Sequence, residues 1–101
     1  MIVVRWTSQA EDDLQAIYDF IARDSEHYAK LVVEQILAAV DSIEQFPLIG
    51  RQIPERPRED LRELIKPPYR IVYRVGEQAH ILTVFRASRL FPFSVDIDDQ
   101  A

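Results

Sequence analysis

A chain of 101 residues with 48% hydrophobic content, two glycines and a formal net charge of −5 fits one domain, residues 1–101, with a small core. The absence of cysteine excludes a disulfide framework and a thiolate metal site, in keeping with a reducing cytoplasm. No apolar run approaches bilayer length, the start MIVVRWTSQAED lacks a signal-peptide pattern, and a pI near 4.9 argues against nucleic-acid binding through the whole surface. The expectation is a cytosolic protein with no membrane partner.

Ile2 to Trp6 is a β-branched run that predicts a strand. Thr7 and Ser8 offer an N-cap, and Ser8 with Glu11 forms a capping-box pattern, with Asp12 and Asp13 adding favourable charge to the first turn. Ala10, Leu14, Ile17, Tyr18 and Ile21 recur at helical spacing and predict a helix ending near Asp24. A second helix is expected from Ser25, with Leu31, Val32, Ile36, Val40 and Ile43 on its buried face, until Pro47 stops it after Phe46. The two form a helical hairpin with almost no linker. Residues 47–60, PLIGRQIPERPRED, hold three of the six prolines and read as a loop without regular structure, the least constrained part of the domain. Three strands follow, at Leu61 to Lys66, Tyr69 to Val75 and Ala79 to Phe85 or Arg86, separated by Pro67-Pro68 and Gly76-Glu77-Gln78. Sequential antiparallel pairing is the default. The tail starts apolar around Phe91 and Phe93 and ends in acidic residues, so residues 94–101 are expected to fray. The fold class is therefore α+β.

Charge is unevenly distributed. Residues 51–89 carry nine basic groups against five acidic ones, leaving −9 for the remainder of a chain whose total is −5. Such a division predicts a cationic working face and an anionic flank, although solvated acidic helix faces and basic strand faces would produce it too. Strand alternation turns Arg70 and Arg74 to one side of the middle strand and Tyr69, Ile71 and Tyr73 to the other, which should meet the helices and leave the arginines exposed. For the last strand the sidedness is ambiguous. Arg62, Arg70, Arg86 and Arg89 could form an anion-recognition cluster, since arginine recognises carboxylate or phosphate through paired donors; pairing with Glu63, Glu77 or the acidic helices serves them equally well. Catalytic patterns are sparse: His27 and His80 are isolated, Ser88 has no histidine nearby in sequence, and two glycines cannot build a phosphate-cradling loop. No metal site is expected.

The pattern of Trp6-Thr7, Ala10, Asp13-Leu14, Ile17, Phe46-Pro47, Gly50-Arg51, Leu61-Arg62-Glu63-Leu64 and Tyr69-Arg70-Ile71-Val72-Tyr73-Arg74-Val75, closed by a strand leading to Arg89, resembles the RelE/ParE superfamily of bacterial toxins. The resemblance covers nearly the whole chain and implies that family's strand, helical hairpin and three-stranded antiparallel segment in one small sheet. It also implies one of two activities, neither needing a cofactor. RelE-like members cut messenger RNA on the ribosome, and that role would fall on Arg62, Arg70 and Arg89. In this chain the second lysine of the preceding strand falls at or near Leu64, no tyrosine follows Tyr73, and the histidine often found three residues before the closing arginine is Arg86. ParE-like members, which the Gly-Arg, Leu-Arg-Glu-Leu and Tyr-Arg-Ile-Val-Tyr-Arg-Val segments resemble better, are not enzymes and poison DNA gyrase. Target recognition would then use Arg70, Arg74, Arg86 and Arg89, with Leu90, Phe91 and Phe93 as an apolar contact. The resemblance further implies a hetero-oligomer with a cognate antitoxin, whose partly disordered segment folds onto the groove near the helical hairpin, at Leu14, Tyr18, Ile36 and Val40. A degenerate member that has lost toxicity is a third reading.

Overall fold

Two amphipathic helices and a twisted five-stranded sheet meet over a layer of aliphatic side chains. The computed structural model describes residues 1–98; Asp99, Gln100 and Ala101, the end of the segment expected to fray, lie outside the described residues. In chain order the elements are β1 (Val4–Trp6), α1 (Ser8–Ala22), α2 (Glu26–Asp41), a single 3-10 turn (Ser42–Glu44), β2 (Arg51–Gln52), β3 (Leu61–Lys66), β4 (Tyr69–Val75) and β5 (Ala79–Arg86). The sheet order is β1-β5-β4-β3-β2, antiparallel except for β1, which lies parallel to β5. A parallel neighbour needs a long crossover, and here the helical hairpin lies within the connection that leads from β1 into the rest of the sheet. No helix among the described residues is long and apolar enough to cross a membrane.

Local chemistry sets the helix ends. The α1 cap is Thr7, one residue earlier than the Ser8 capping box implied: its hydroxyl accepts from Ala10 N–H and also donates to the Ile81 carbonyl at 2.8 Å. Thr7 therefore starts the helix and ties it to β5. Because β1 has only three residues, β5 would be left with an open edge beyond Ile81. Asp13 on α1 covers it, accepting from the Thr83 hydroxyl at 2.5 Å and from Val84 N–H at 3.1 Å. Ser25 caps α2 by accepting from Tyr28 N–H. α2 stops at Asp41 rather than continuing to Phe46, and Leu31, expected on its buried face, is 40% exposed.

The helical face of the sheet is closed by Ala10, Val32, Ile36, Val40 and Ile43 against Tyr69, Ile71, Tyr73, Ile81 and Val84. A second cluster, on the opposite face, joins Ile53, Leu61, Val72, Leu82 and Phe85 to Phe91 and Ile97 of the tail. The ambiguous sidedness of β5 has a physical origin. Val72 pairs with Thr83 but Tyr73 pairs with Ile81, so Leu82 is an extra residue that inverts the alternation partway along the strand. Ala79, Ile81 and Val84 consequently share the helical face, while Leu82 and Phe85 share the other.

The 47–60 loop departs furthest from expectation. Arg51 and Gln52 form an edge strand on β3, and Ile53 is fully buried. Gly50 is packed so closely that an added Cβ would stand 2.7 Å from the Glu63 carbonyl oxygen and 2.8 Å from the Tyr73 ring. The Tyr73 hydroxyl accepts from Gly50 N–H at 2.9 Å and donates to the Pro47 carbonyl at 2.8 Å. A segment read as unconstrained is thus pinned from beneath, because its apolar and backbone polar groups have partners only the folded sheet supplies.

Candidate functional site

The arginines singled out in the sequence divide into two groups, one absorbed by the fold and one presented to solvent. Arg70 belongs to the first. Its Nε donates to Glu63 Oε1 at 2.6 Å, and Nη1 and Nη2 donate to the two Glu55 carboxylate oxygens at 2.8 Å each. Glu63, whose side chain is 0% exposed, accepts from Arg51 Nε at 2.8 Å through its other oxygen. The Arg70 guanidinium also lies 5.1 Å from the Phe85 ring centroid and 5.6 Å from that of Phe91. With a side chain only 9% exposed and every guanidinium nitrogen hydrogen-bonded to a carboxylate, Arg70 is not the exposed recognition residue that strand alternation implied.

The network is electrostatically self-consistent. Hydrogen bonding to Arg70 holds the Glu55 carboxyl down at about 2, and the same bonds hold the Arg70 guanidinium above its ordinary value against the cost of burial. A buried cation with two carboxylate partners satisfies the requirement that buried charge be paired and hydrogen-bonded. Each guanidinium nitrogen donates to a carboxylate, so the charge of Arg70 is compensated within the fold by Glu55 and Glu63.

Arg74 and Arg62 are also engaged. Arg74 Nη1 donates to the Ile97 carbonyl at 2.7 Å, and Nη2 lies 3.2 Å from His80 Nδ1, so this arginine anchors the tail and is only partly exposed. Arg62 donates to the carbonyls of Glu59 and Gly50. Burial pushes the Tyr73 hydroxyl up from its ordinary value, opposed by the hydrogen bond from Gly50.

The second group gathers where β3 turns into β4 and β5 ends. Lys66 pairs with Tyr69 and Tyr69 with Arg86, which places Lys66 and Arg86 on either side of one aromatic ring in a single row across three strands. Arg86 lies over that ring at 5.9 Å, and Arg89 N–H donates to the Arg86 carbonyl, folding Arg89 back beside the row. Leu90 is 94% exposed and Phe93 59%, whereas Phe91 is buried against Phe85 and cannot contact a partner without opening the tail. Of the seven expected target contacts, the structure thus leaves Arg86, Arg89, Leu90 and Phe93 exposed and engages Arg70, Arg74 and Phe91 within the fold.

The expected groove on the hairpin divides in the same way. Ile36 and Val40 are buried in the helix–sheet core, because they lie on the α2 stripe that faces β-strands, so they offer no surface. Leu14 and Tyr18 are partly exposed and line a cleft with Trp6, Val33 and Leu37, rimmed by Glu11 and Asp12. Sequence reading missed Glu55, Ile53 and Lys66. The signal for Glu55 and Ile53 was absent, since only the three-dimensional path of the loop brings them over β4. Lys66 was legible as the last residue of a strand directly before a turn.

No group of three or more His, Cys, Asp or Glu able to hold a metal is found among the described residues. The family model for the ParE toxin of the type II toxin-antitoxin system, parDE, matches residues 4–91. The chain is 37% identical over 91 residues to the Y4kP protein of Sinorhizobium fredii, covering 88% of this chain and 92% of that one. It is 37% identical over 92 residues to the toxin RelE2 of Caulobacter vibrioides, covering 89% and 100%. Among solved structures, the chromosomal ParDE toxin-antitoxin system of Pseudomonas aeruginosa superposes with a TM-score of 0.71 at 29% identity, over 85% of this chain and 96% of that one. The RelBE2 toxin-antitoxin complex of Mycobacterium tuberculosis shares the fold, with a TM-score of 0.55 at 23% identity, over 84% and 90%.

Proposed function

Because the chain belongs to the ParE toxin family of type II toxin-antitoxin systems, we propose that it acts by binding and poisoning DNA gyrase and is neutralised by a cognate antitoxin. The observation that carries the choice over RNA cleavage is the pairing of Arg70, 9% exposed, with two carboxylates. A ribonuclease needs free cationic donors at the phosphate and a general acid or base within reach of it. Here Arg70 donates to Glu55 and Glu63 through every nitrogen, Leu64 and Arg86 occupy positions where RNA-cleaving relatives carry lysine and histidine, and no tyrosine follows Tyr73. What the molecule retains is a set of exposed groups at the end of β5 and in the segment after it: Arg86 and Arg89, then Leu90 and Phe93. A cationic rim around apolar anchors is a recognised form of protein interface.

The antitoxin is assigned to the hairpin cleft at Leu14 and Tyr18, with Trp6, Val33 and Leu37 as further apolar contacts. The ParDE and RelBE2 neighbours, both toxin-antitoxin systems, support a hetero-oligomer. Since Glu11 and Asp12 rim this cleft, its grip rests on apolar burial more than on attraction to an acidic partner.

Inducible expression in bacteria tests the reading. Filamentation with an induced DNA-damage response, and gyrase-dependent DNA breaks in vitro, are the expected results, both weakened by Arg86→Glu with Arg89→Glu. An immediate arrest of translation with cleaved messenger would overturn the gyrase assignment in favour of the ribosomal one, and no growth effect at all would leave a non-toxic family member.

A further inference from the structure

The strands and the segment after β5 carry eight cations, and the fold consumes five of them. Arg5 donates to Gln78, Arg51 to Glu63, Arg62 to backbone carbonyls, Arg70 to Glu55 and Glu63, and Arg74 to the Ile97 carbonyl. Lys66, Arg86 and Arg89 are left, and among the described residues none of them meets a carboxylate. They are close in the fold: Lys66, Tyr69 and Arg86 pair across three strands, and the turn that follows joins Arg89 to Arg86 through a backbone hydrogen bond. The chain segments that build this end contain no acidic residue: none occurs between Glu63 and Glu77, or from Gln78 to Val95. Within the sheet of an acidic molecule, the cations without a carboxylate partner therefore lie at one end.

We propose that Lys66, Arg86 and Arg89 form a phosphate-backbone contact for duplex DNA, so that the toxin touches the nucleic acid as well as the protein of its target. This rests on the gyrase reading, which supplies a target holding duplex DNA. Charge complementarity selects the partner. Two strand spacings of about 4.8 Å separate Lys66 from Arg86, a span of roughly 10 Å. Duplex DNA presents a charge about every 1.7 Å of axis, so a row of that length meets several phosphates in any register. The contact carries no sequence information, as backbone contacts position a protein and do not specify bases. The net-acidic remainder of the molecule disfavours approach to DNA by its other faces, so this end leads.

Fluorescence anisotropy with a short labelled duplex, without gyrase, tests the contact. At about 50 to 200 mM salt, log affinity should fall against log salt with a slope near −2.7, or about −0.9 per phosphate contact. Lys66→Gln, Arg86→Gln and Arg89→Gln should each flatten the slope by about 0.9, while Arg23→Gln at the C-terminal cap of α1 leaves it unchanged. Circular dichroism of each variant keeps folding separate from binding. Failure to bind the duplex, or an affinity indifferent to the three substitutions, overturns the proposal. Tighter binding to single-stranded RNA overturns the choice of duplex and turns the same cations toward the RNA-cleaving reading. A gyrase-cleavage assay run beside it keeps the two conclusions apart: DNA breakage that persists without duplex binding removes this inference and leaves the gyrase reading standing.

Discussion

One face of the sheet is closed by two amphipathic helices, the other by a proline-containing loop and the C-terminal tail, and Glu63 of β3 with Arg70 and Arg74 of β4 falls on the second. On the helical face, contact is aliphatic and aromatic, and each helix supplies a stripe at helical spacing. On the tail face a smaller apolar cluster shares its layer with Arg70, Glu63, Glu55 and the Arg74–His80–Ile97 contacts. The first face is a solution that burial alone dictates. The second needs directional partners, because irregular segments cannot cover a sheet without also satisfying the polar groups they bury.

That contrast can be broken first at its charged centre. Arg70→Ala leaves Glu63 buried with Arg51 as its remaining partner, and unfolding by urea should show a loss of about 3 to 5 kcal/mol. Replacing both partners, as Arg70→Met with Glu63→Leu, should recover most of that loss, since the cost lies in stranding one charge. If the double replacement is as unstable as the single one, the network contributes more than mutual neutralisation.

Apolar truncations compare the faces directly. Ile36→Ala, under two helices and the sheet, should cost about 3 kcal/mol, whereas Ile97→Ala should cost under about 2 kcal/mol because the tail can relax into the space. Equal losses in matched denaturation curves would show that the tail packs as firmly as a helix. Tyr73→Phe removes the hydroxyl that accepts from Gly50 N–H, and a stranded buried donor costs about 1 to 3 kcal/mol; hydrogen exchange at Gly50 should accelerate accordingly. The smallest effect is pH dependence. The Glu55 carboxyl is depressed from 4.5 to about 2, so its stabilisation is fully present above pH 4.5 and is lost as pH falls toward 2. Thermal melts should show wild type exceeding Glu55→Gln near neutrality and converging with it across that window.

The candidate site was legible in part. Arg86 and Arg89 could be placed near an exposed strand end because that strand stops close to them, and Leu90 and Phe93 follow in an unpatterned segment. Arg70 was misplaced because alternation tells which side a residue takes and not what lies there; the side it takes is covered by Glu55, fifteen positions earlier in the chain. Ile36 and Val40 were placed in a groove although their own periodicity put them on the stripe that packs on the sheet.

By itself the sequence determined the helices, the four longer strands and their order, though not β2, since helical spacing, strand alternation and the proline and glycine breaks are properties of neighbouring residues. It also carried the family, whose segments run through most of the chain. Tertiary structure decided which cations are free. That outcome depends on contacts between residues far apart in the chain: a loop laid over β4, an extra residue at Leu82 that inverts the sidedness of β5, and a tail drawn down by Arg74. Local pattern fixes where a side chain points, and only the closed fold fixes what it meets.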